Sequence, residues 1–405
     1  MTRFPNYAPE YRIRIDGMPI PPALRASIVS VSLQSGLEGA DRVEINLANE
    51  NLRWLDDPLL KPGNLFSLAI GYAPDPPTEV FTGEITGVDA SFPGGGIPTM
   101  NVVAHDFMQR MTTGTKDRAF AAEIPCIGRF PLPDSTIAKQ VSDSNQLVPL
   151  IDPAGAAIAF LTLLMSYAMD PIDAKNTIRF QRGESDFNLL TALAQQNGWE
   201  LFIDHTLEPR GFVLRFLFPA PEFLPVASLK WGASLMDFSP RLSTVGQVAG
   251  VSARLYISSI KMELVLILSW DDEQGGFDLQ VYPGMGSVEE LAGSGRAQGL
   301  LKIEAFGPST APKQILSELL PRLNNRLTCS GSSVGSPNIM PGKVIYCDGV
   351  GGRFGGLYRV TSATHTLDGS GYRTQFEGRR EIWFGPLAAP MGAAGLTSVQ
   401  GLSLV

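Results

Sequence analysis

The sequence predicts a mainly β protein in which two small β-barrel domains flank a mixed α+β domain. Short segments of alternating apolar and polar residues recur at both ends of the chain, and this period of two is typical of strands with one covered face. The 42 glycines and 31 prolines favour frequent tight turns over long helices. Between the two ends, apolar residues at helical spacing interrupt the strand pattern.

The first predicted domain covers residues 1–120. Its candidate strands are YRIRID, SIVSVSLQ, RVEINLAN, NLFSLAIGY, EVFTGEITGVDASF and NVVAHD. The Pro-rich turn APDPPT separates the fourth from the fifth, and FPGGGIPTM forms a hairpin into the sixth. About six strands with regular turn spacing predict a small closed barrel.

The middle domain, residues 121–225, is predicted to be an α+β insertion. One helix is expected to start at an N-cap of Asp134 or Ser135, and a second at Ser185 or Asp186 with its end at Gly198. The apolar run AGAAIAFLTLLMSYAM between them is shorter than the about 20 residues that a bilayer span needs. We expect a buried helix there, or a segment packed against a partner.

Residues 226–385 return to strand patterns and predict a second barrel. A helix is expected over Ala311–Leu327 with a kink at Pro321. Residues 386–405 are small and mildly apolar, which predicts a flexible arm, or one that becomes ordered on a partner. The two β-rich regions show no clear sequence repeat.

Composition narrows the function classes. Hydrophobic residues form 44% and charged residues 18% of the 405 residues, which is typical of globular domains with real cores. The net charge of −8 and the lack of any Lys or Arg run argue against a nucleic-acid groove. The N-terminus MTRFPN lacks the apolar stretch of a secretory signal. Cys126, Cys329 and Cys347 are widely spaced and odd in number, so we expect buried thiols rather than disulfides or a zinc site.

The histidines give no catalytic or metal pattern. His105-Asp106 ends a strand, and we interpret the pair as tying the strand end to the backbone. His205 lies in the turn DHTLEPRG and is expected to be solvated, whereas His365 lies in a strand. No two histidines share the spacing of a metal motif, and no GxSxG elbow is present. We therefore predict no metal site, no cofactor and no catalytic residue.

Two further patterns have weak functional alternatives. The segment GVGGRFGG resembles a phosphate loop, but Phe354 occupies the third glycine position and a strand follows, so we predict a glycine-rich hairpin or bulge. Glu84 and Asp89, and the cluster Asp271, Asp272 and Glu273, are interpreted as solvated acidic residues. A glycosidase pair across a cleft stays open at this point.

Several segments, in order, resemble the phage late control protein D family, whose hub module also begins the VgrG spike proteins of type VI secretion systems. They are FTGEI with HD, the SDFNLLTALAQQNGW helix, LKWGASLMDFSP, and the closing block from MPGKVIYCDGV to YRTQFEGRR. The resemblance covers roughly residues 11–382 and fits residues 148–175 poorly. The matched positions are Phe81, Thr82, Gly83, His105, Asp106, Gly198, Gly232, Gly342, Gly349, Gly351, Tyr358, His365 and Tyr372.

The resemblance implies a structural baseplate hub of a contractile phage tail. It implies a homotrimer whose six barrels adapt a six-fold tail tube to a three-fold spike. The expected partners are the tail tube or tube-initiator protein above, a separate trimeric spike protein below and surrounding baseplate wedge proteins. No membrane anchor and no sequence-specific nucleic-acid binding are expected. The implied location is the virion tail baseplate, assembled in the bacterial host cytoplasm.

Three alternatives stay open from the sequence. A hub of a type VI-like or extracellular contractile injection system would have nearly the same sequence features. A tail-associated cell-wall hydrolase would require a catalytic cleft. A plain carbohydrate-binding β-protein would be a monomer with exposed aromatic residues.

Overall fold

The computed structural model describes residues 8–125, 128–152, 178–219, 222–243, 250–257, 261–271, 276–283, 300–304 and 311–384. The expected arm at 386–405, the apolar run at 154–169 and Cys126 lie outside these residues. None of the helices within the described ranges is long and apolar enough to cross a bilayer.

The N-terminal region is a run of antiparallel strands with one short helix. Its strands alternate between buried and more exposed side chains. In β3, for example, Val31 and Leu33 are buried and Gln34 is exposed. The buried side chains form one apolar core. The elements are β1 (Ala8–Ile15), β2 (Met18–Pro19), α1 (Pro22–Ser27), β3 (Ile28–Gly36), β4 (Arg42–Ala48), 3-10 turns at Glu50–Leu52 and Pro58–Leu60, β5 (Leu65–Ala73), β6 (Thr78–Ser91) and β7 (Thr99–Asp106).

The middle region contains two three-stranded sheets and its own core. Strand order is β10-β13-β12 in one sheet and β11-β8-β9 in the other. Ser185 caps α4 by accepting from the Asn188 amide, and Gly198 ends that helix in the left-handed region. The elements are α2 (Gln109–Thr112), β8 (Lys116–Ile124), β9 (Gly128–Pro131), α3 (Asp134–Ser144), β10 (Val148–Leu150), β11 (Arg179–Glu184), α4 (Asp186–Asn197), β12 (Glu200–Ile203) and β13 (Val213–Leu217).

The C-terminal region combines a second set of strands with a small separate sheet. Helix α5 contains Pro321 and packs Ile315 and Leu319 against β16 of the small sheet, which has the order β18-β17-β16-β19. The elements are β14 (Ala227–Lys230), β15 (Leu235–Leu242), β16 (Gly250–Ile257), β17 (Met262–Asp271), β18 (Gly276–Pro283), β19 (Leu300–Glu304), α5 (Ala311–Asn324), β20 (Leu327–Val334), β21 (Val344–Asp348), α6 (Gly351–Phe354), β22 (Gly356–Asp368), β23 (Gly371–Arg379) and a 3-10 turn at Ile382–Phe384.

One sheet runs through both ends of the chain. Its main path is β15-β20-β23-β22-β3-β4-β7-β6-β5-β1-β2, with β21 and β14 attached beside β22. The two ends meet where β3 pairs antiparallel with β22, from Val31 opposite Leu367 to Gly36 opposite Ser362. This pairing makes the N-terminal and C-terminal strands a single hydrogen-bonded layer.

The two ends also repeat one topology. Strands β3, β4, β5, β6 and β7 correspond in chain order to β15, β20, β21, β22 and β23. The antiparallel pairs β3·β4, β4·β7, β5·β6 and β6·β7 recur as β15·β20, β20·β23, β21·β22 and β22·β23. The tight β3–β4 turn of the first copy is replaced in the second by the small sheet and α5.

Bulges fix the correspondence residue by residue. The β6·β7 pair shifts register between Ile85 and Gly87, and the β22·β23 pair shifts between Val360 and Ser362. The β3·β4 pair shifts between Ile28 and Ser30, and the β15·β20 pair shifts between Leu235 and Asp237. The repeat that no sequence pattern showed is therefore present in the strand pairing.

The mainly β class with a mixed middle segment is confirmed. Closure into two separate barrels is not found among the described strands, because their pairing follows one open path. The small β16–β19 sheet, expected as part of a second barrel, forms its own layer instead. The helix predicted at Asp134 or Ser135 is present, but Pro133 occupies the N-cap position without a side-chain bond. The domain boundaries at 120, 225 and 385 stay predictions.

The close approach of the paired strands β6 and β7 requires glycine at position 83. A Cβ at Gly83 would lie 2.1 Å from the carbonyl oxygen of His105, whereas a Cβ at Gly87 would meet nothing within 4 Å. We expect Gly83→Ala to lower the free energy of unfolding by about 3 kcal/mol, because the strand backbones must separate. Gly87→Ala in the same strand is the control and should change it by less than about 1 kcal/mol. Urea titration measures the free energy of unfolding of both variants. Equal losses would refute the close approach of β6 and β7 at Gly83 as the cause.

Candidate functional site

Eight neighbouring strands expose a continuous polar face, and we take this face and its two ends as the candidate functional site. The alternation of side chains places every second residue of β15, β20, β23, β22, β3, β4, β7 and β6 on this side. Serine, threonine, asparagine and glutamine dominate it, and Val103 and Val334 are apolar residues on it. Its charged residues include Glu44, Glu84, Asp89, Asp237 and Glu377, opposed by Arg42, Arg241, Arg373 and Arg379.

Local hydrogen bonds and ion pairs order the polar face. Arg42 pairs with Glu44 at 2.5 Å, and Asn46 donates to the Ser30 hydroxyl. On the other repeat, the Ser332 hydroxyl donates to Asp237 at 2.8 Å. Because acidic and basic groups are nearly balanced, the face has no strong field of one sign.

The eight strands end in two edges that have no strand partner within the described ranges. The first half of β6 pairs with β5 up to Glu84, which leaves residues 86–91 open on that side. At the other end, β15 pairs with β20, and apart from a bridge between Leu235 and Trp231 its other side has no partner within the described ranges. Open edges present unpaired N–H and C=O groups, and proteins normally cover or pair such edges.

Apolar side chains lie on the back of both edges, opposite the polar face. Phe92, directly after β6, is 59% exposed, and Leu242 at the end of β15 is 38% exposed. Their counterparts at the paired β3·β22 junction, Leu367 and Ser35, are 5% and 6% exposed. The two edges therefore resemble the two halves of a junction that is already formed inside the chain.

Three polar clusters hold the regions that carry this face together. The first joins the N-terminal strands to the middle region. It consists of Asp41 before β4, Asp106 at the end of β7 and His205 after β12. All three are buried, and one carboxylate oxygen or ring nitrogen of each lies within 4.8 Å of those of the other two. Asp106 accepts from the amides of Asp41 and Met108, both at 3.0 Å. These bonds fix the strand end, as predicted for Asp106.

His205 completes the first cluster. The Thr82 amide donates to its Nδ1 at 3.4 Å, so the ring proton resides on Nε2, 3.3 Å from Oδ2 of Asp41. Phe81 packs against the same ring, with centroids 5.3 Å apart. The expectation that His205 is solvated is wrong, because the turn folds back onto β6 and buries it.

Burial and mutual repulsion shift the pKa values in this cluster. Burial raises the pKa of Asp41, although the nearby His205 opposes it. Burial and the charge of Asp41 raise the pKa of Asp106 to about 7. Burial lowers the pKa of His205, but the facing carboxylates outweigh it and leave that pKa above its ordinary value. Folding therefore favours proton uptake here near neutral pH.

The polar atoms of this cluster are mostly used in hydrogen bonds within the chain, which suits a structural contact better than a metal site. Gly36 donates to Oδ1 of Asp41, and both oxygens of Asp106 accept backbone amides. The side-chain atoms left for a cation are Oδ2 of Asp41 and, once its proton is displaced, Nε2 of His205. Two ligands fall short of the four that zinc takes and the six or more that calcium takes.

The second cluster joins the middle region to the C-terminal strands. Arg359 of β22 is 1% exposed and donates to Glu200 of β12 at 2.6 Å. Arg379 of β23 contacts Glu200 at 3.5 Å and Glu381 at 3.1 Å. Burial raises the pKa of Glu381, although both arginines oppose it.

The third cluster joins the two β-rich ends. His365 and Tyr372 form a buried bond of 2.8 Å between Nδ1 and the phenol oxygen, and Nε2 lies 3.0 Å from the Ile339 carbonyl. Burial lowers the pKa of His365 to about 4, so the ring is neutral. Tyr72 of β5 packs on Tyr372 at 5.6 Å and donates to the Gly335 carbonyl at 2.9 Å.

The other positions that match the family motifs lie in turns or at close contacts between elements. Gly198 approaches α5, since a Cβ there would lie 3.2 Å from the Ser317 Cα. Tyr358 donates to the Phe354 carbonyl at 2.6 Å. Gly232, Gly342, Gly349 and Gly351 all have φ near 80°, a region that favours glycine. The structural role of the matched positions as a set stays a prediction.

The remaining patterns have ordinary positions. His105 lies apart from the first cluster and contacts the Thr86 hydroxyl at 2.7 Å, and burial lowers its pKa. The GVGGRFGG segment forms one turn of helix, α6, inside the antiparallel β21·β22 connection. Glu84 pairs with Arg110 rather than standing free in solvent. Cys329 and Cys347 are buried free thiols, as expected.

Solved structures with the same fold are tail proteins. No protein-family model and no curated protein sequence matches this chain. The 43 kDa tail protein of prophage MuSo2 from Shewanella oneidensis gives a TM-score of 0.59 at 13% identity, over 93% of this chain and 99% of that chain. A tail protein from Neisseria meningitidis MC58 gives 0.57 at 12% identity, over 95% and 100%.

A third structure connects the fold to secretion machinery. The E. coli c3393 protein, a type VI secretion component with structural similarity to the T4 tail proteins gp27 and gp5, gives 0.51 at 12% identity, over 93% of this chain and 79% of that chain. The chain therefore has the fold of phage tail proteins and of this type VI secretion component. The resemblance drawn from the sequence is confirmed at the level of the fold.

The first cluster should make stability depend on pH. The folded-state pKa values of Asp106 and His205 are both raised, so their contribution to stability is largest at low pH. The contribution of Asp106 is lost as pH rises through about 7. We expect the free energy of unfolding of the wild type to fall more between pH 5 and pH 8 than that of Asp106→Asn. Asp75→Asn, on an exposed turn, is the control and should keep the wild-type slope. Parallel slopes for the wild type and Asp106→Asn would contradict the assigned protonation.

The second cluster should be sensitive to loss of one partner. Arg359→Ala leaves Glu200 and Glu381 buried without their main counter-charge, so we expect a loss of about 3 kcal/mol in urea unfolding. Lys139→Ala removes an exposed pair with Asp143 and should cost about 0.5 kcal/mol or less. Similar losses for both variants would show that the buried network does not join these regions.

Proposed function

We propose that this chain is a structural hub of a contractile tail, in which three copies form a ring around a channel lined by the polar face. The observation that carries the proposal is the repeated strand topology. Two repeats of one chain stand side by side in one sheet, joined by the pairing of β3 with β22. Three copies would then present six repeats, which suits a six-fold tube above and a three-fold spike below.

The open edges support ring formation. One open edge lies at β6 and the other at β15, so the β6 edge of one copy can contact the β15 edge of the next. Such head-to-tail contacts close into a ring when the rotation between copies fits. The polar and nearly charge-balanced face suits a passage that must not retain its contents. The apolar backs of both edges gain cover only when the edges meet.

The partners follow from this geometry. A tail tube or tube-initiator protein would continue the channel on one side, and a separate trimeric spike would close the other. The middle region would contact surrounding wedge proteins. In this role the protein forms no covalent bond with a substrate, needs no cofactor and acts within the virion tail baseplate after assembly in the host cytoplasm.

A hub of a type VI-like or extracellular injection particle uses the same argument, since the fold of the E. coli c3393 protein is shared. The neighbouring genes discriminate between them. Capsid and terminase genes indicate a phage, and an AAA+ ATPase gene without capsid genes indicates an injection system. The hydrolase alternative predicts clearing of purified peptidoglycan, and our proposal predicts none.

The oligomeric state tests the proposal. We expect the purified chain alone to have three times the mass of one 43.6 kDa chain by light scattering. Its complex with the spike partner should weigh three chains plus the mass of the spike. The mass should persist in high salt, because apolar backs and strand pairing resist screening better than surface ion pairs. A monomer under all these conditions, at concentrations well above micromolar, would overturn the hub assignment.

A further inference from the structure

The paired junction inside the chain shows how two repeats join. Strands β22 and β3 run antiparallel, with Thr364 opposite Gln34 and Leu367 opposite Val31. The Leu37 amide donates to the Thr361 carbonyl at 3.0 Å, so odd-numbered residues of β3 direct their amides toward β22. Gln34 and Thr364 therefore form a non-hydrogen-bonded pair, the kind with the closer Cα atoms.

The bulges transfer this register to the open edges. Gly87 of β6 corresponds to Ser362 of β22, since each follows the register shift in its strand, so Asp89 corresponds to Thr364. Asp237 of β15 corresponds to Ser30 of β3 on the same ground, so Arg241 corresponds to Gln34. If the two open edges met with the register of the internal junction, position 89 of one copy would therefore lie opposite position 241 of the next.

We infer that β6 of one copy pairs antiparallel with β15 of the next copy, with Asp89 directly opposite Arg241. This inference rests on the proposed ring and specifies its contact. The chain places opposite charges at the two positions that the repeat brings together, although the internal equivalents Thr364 and Gln34 are uncharged. Opposite charges directly across an antiparallel pair stabilise it.

The back of the same pairing is apolar. The register places Val88 opposite Leu242 and Phe92 opposite Phe238. Phe92 and Leu242, now 59% and 38% exposed, would be covered as Leu367 and Ser35 are at the internal junction. One face of the contact is thus held by burial and the other by the Asp89–Arg241 pair.

Pro240 restricts the contact. It corresponds to Leu33, whose amide points toward β22, so the ladder between copies would lack one hydrogen bond, to the Ala90 carbonyl. A proline on an exposed edge also hinders pairing with unrelated strands. Side chains must therefore supply the specificity that a full ladder would otherwise give.

Disulfide trapping tests the register. In Asp89→Cys with Arg241→Cys, the two thiols would face each other in a non-hydrogen-bonded pair, whose Cα separation of about 4.5 Å suits a disulfide. We expect covalent trimers on a non-reducing gel under mild oxidation. The matched control, Ser91→Cys with Arg241→Cys, lies one diagonal step away and should yield at most a minor fraction. Each single variant shows the background from native thiols.

Charge exchange gives a second and independent readout. Asp89→Arg should raise the concentration at which half of the ring dissociates by about tenfold, and adding Arg241→Asp should restore it. Trimers that form without the specific cross-link, and without rescue by the double exchange, would overturn this register and leave the hub proposal intact. A wild type that never assembles would overturn the proposed function itself.

Discussion

The antiparallel pairing of β3 with β22 is the contact on which the rest of this structure depends. It joins strands more than 300 residues apart in sequence and turns two topological repeats into one sheet. Because side chains in a strand alternate with a period of two, a slip of one residue would turn the polar face into the core. Bulges at the same place in both repeats hold the register, and with it the separation of the polar from the apolar side.

Three buried polar clusters keep this sheet attached to the rest of the chain. The Asp41–Asp106–His205 cluster and the Glu200–Arg359 network each cross between a β-rich end and the middle region. The third cluster crosses between the ends through Tyr72, which packs on Tyr372 and donates to the Gly335 carbonyl. A buried charge without its partner is costly, so the first two clusters favour one relative placement of the regions over close alternatives. In the third, a buried polar group without its hydrogen bond is costly for the same reason. The proposed ring would need this fixed placement, since small errors in placement accumulate around a ring.

Local sequence signals predicted much of the fold. Period-two alternation located strands such as β3, β4 and β22, and the Ser185 cap and Gly198 end located α4. What the sequence could not show depends on contacts between distant residues. Asp41, Asp106 and His205 are far apart in the sequence. The pairing of β4 with β7 brings Asp41 to Asp106, and the turn after β12, folded onto β6, brings His205 to both. The repeat was missed for a related reason, since β6 and β22 share a bulge and a pairing pattern but few residues.

The central claim is that two unlike sequences with one topology act as equivalent segments of a closed wall. A cryo-electron microscopy map of the purified assembly tests it most directly. The account predicts a three-fold ring in which eight strands of each copy continue into the next copy and the polar face points to the central channel. A map in which the polar face points outward, or in which β6 and β15 are covered by other segments of the same chain, would contradict it.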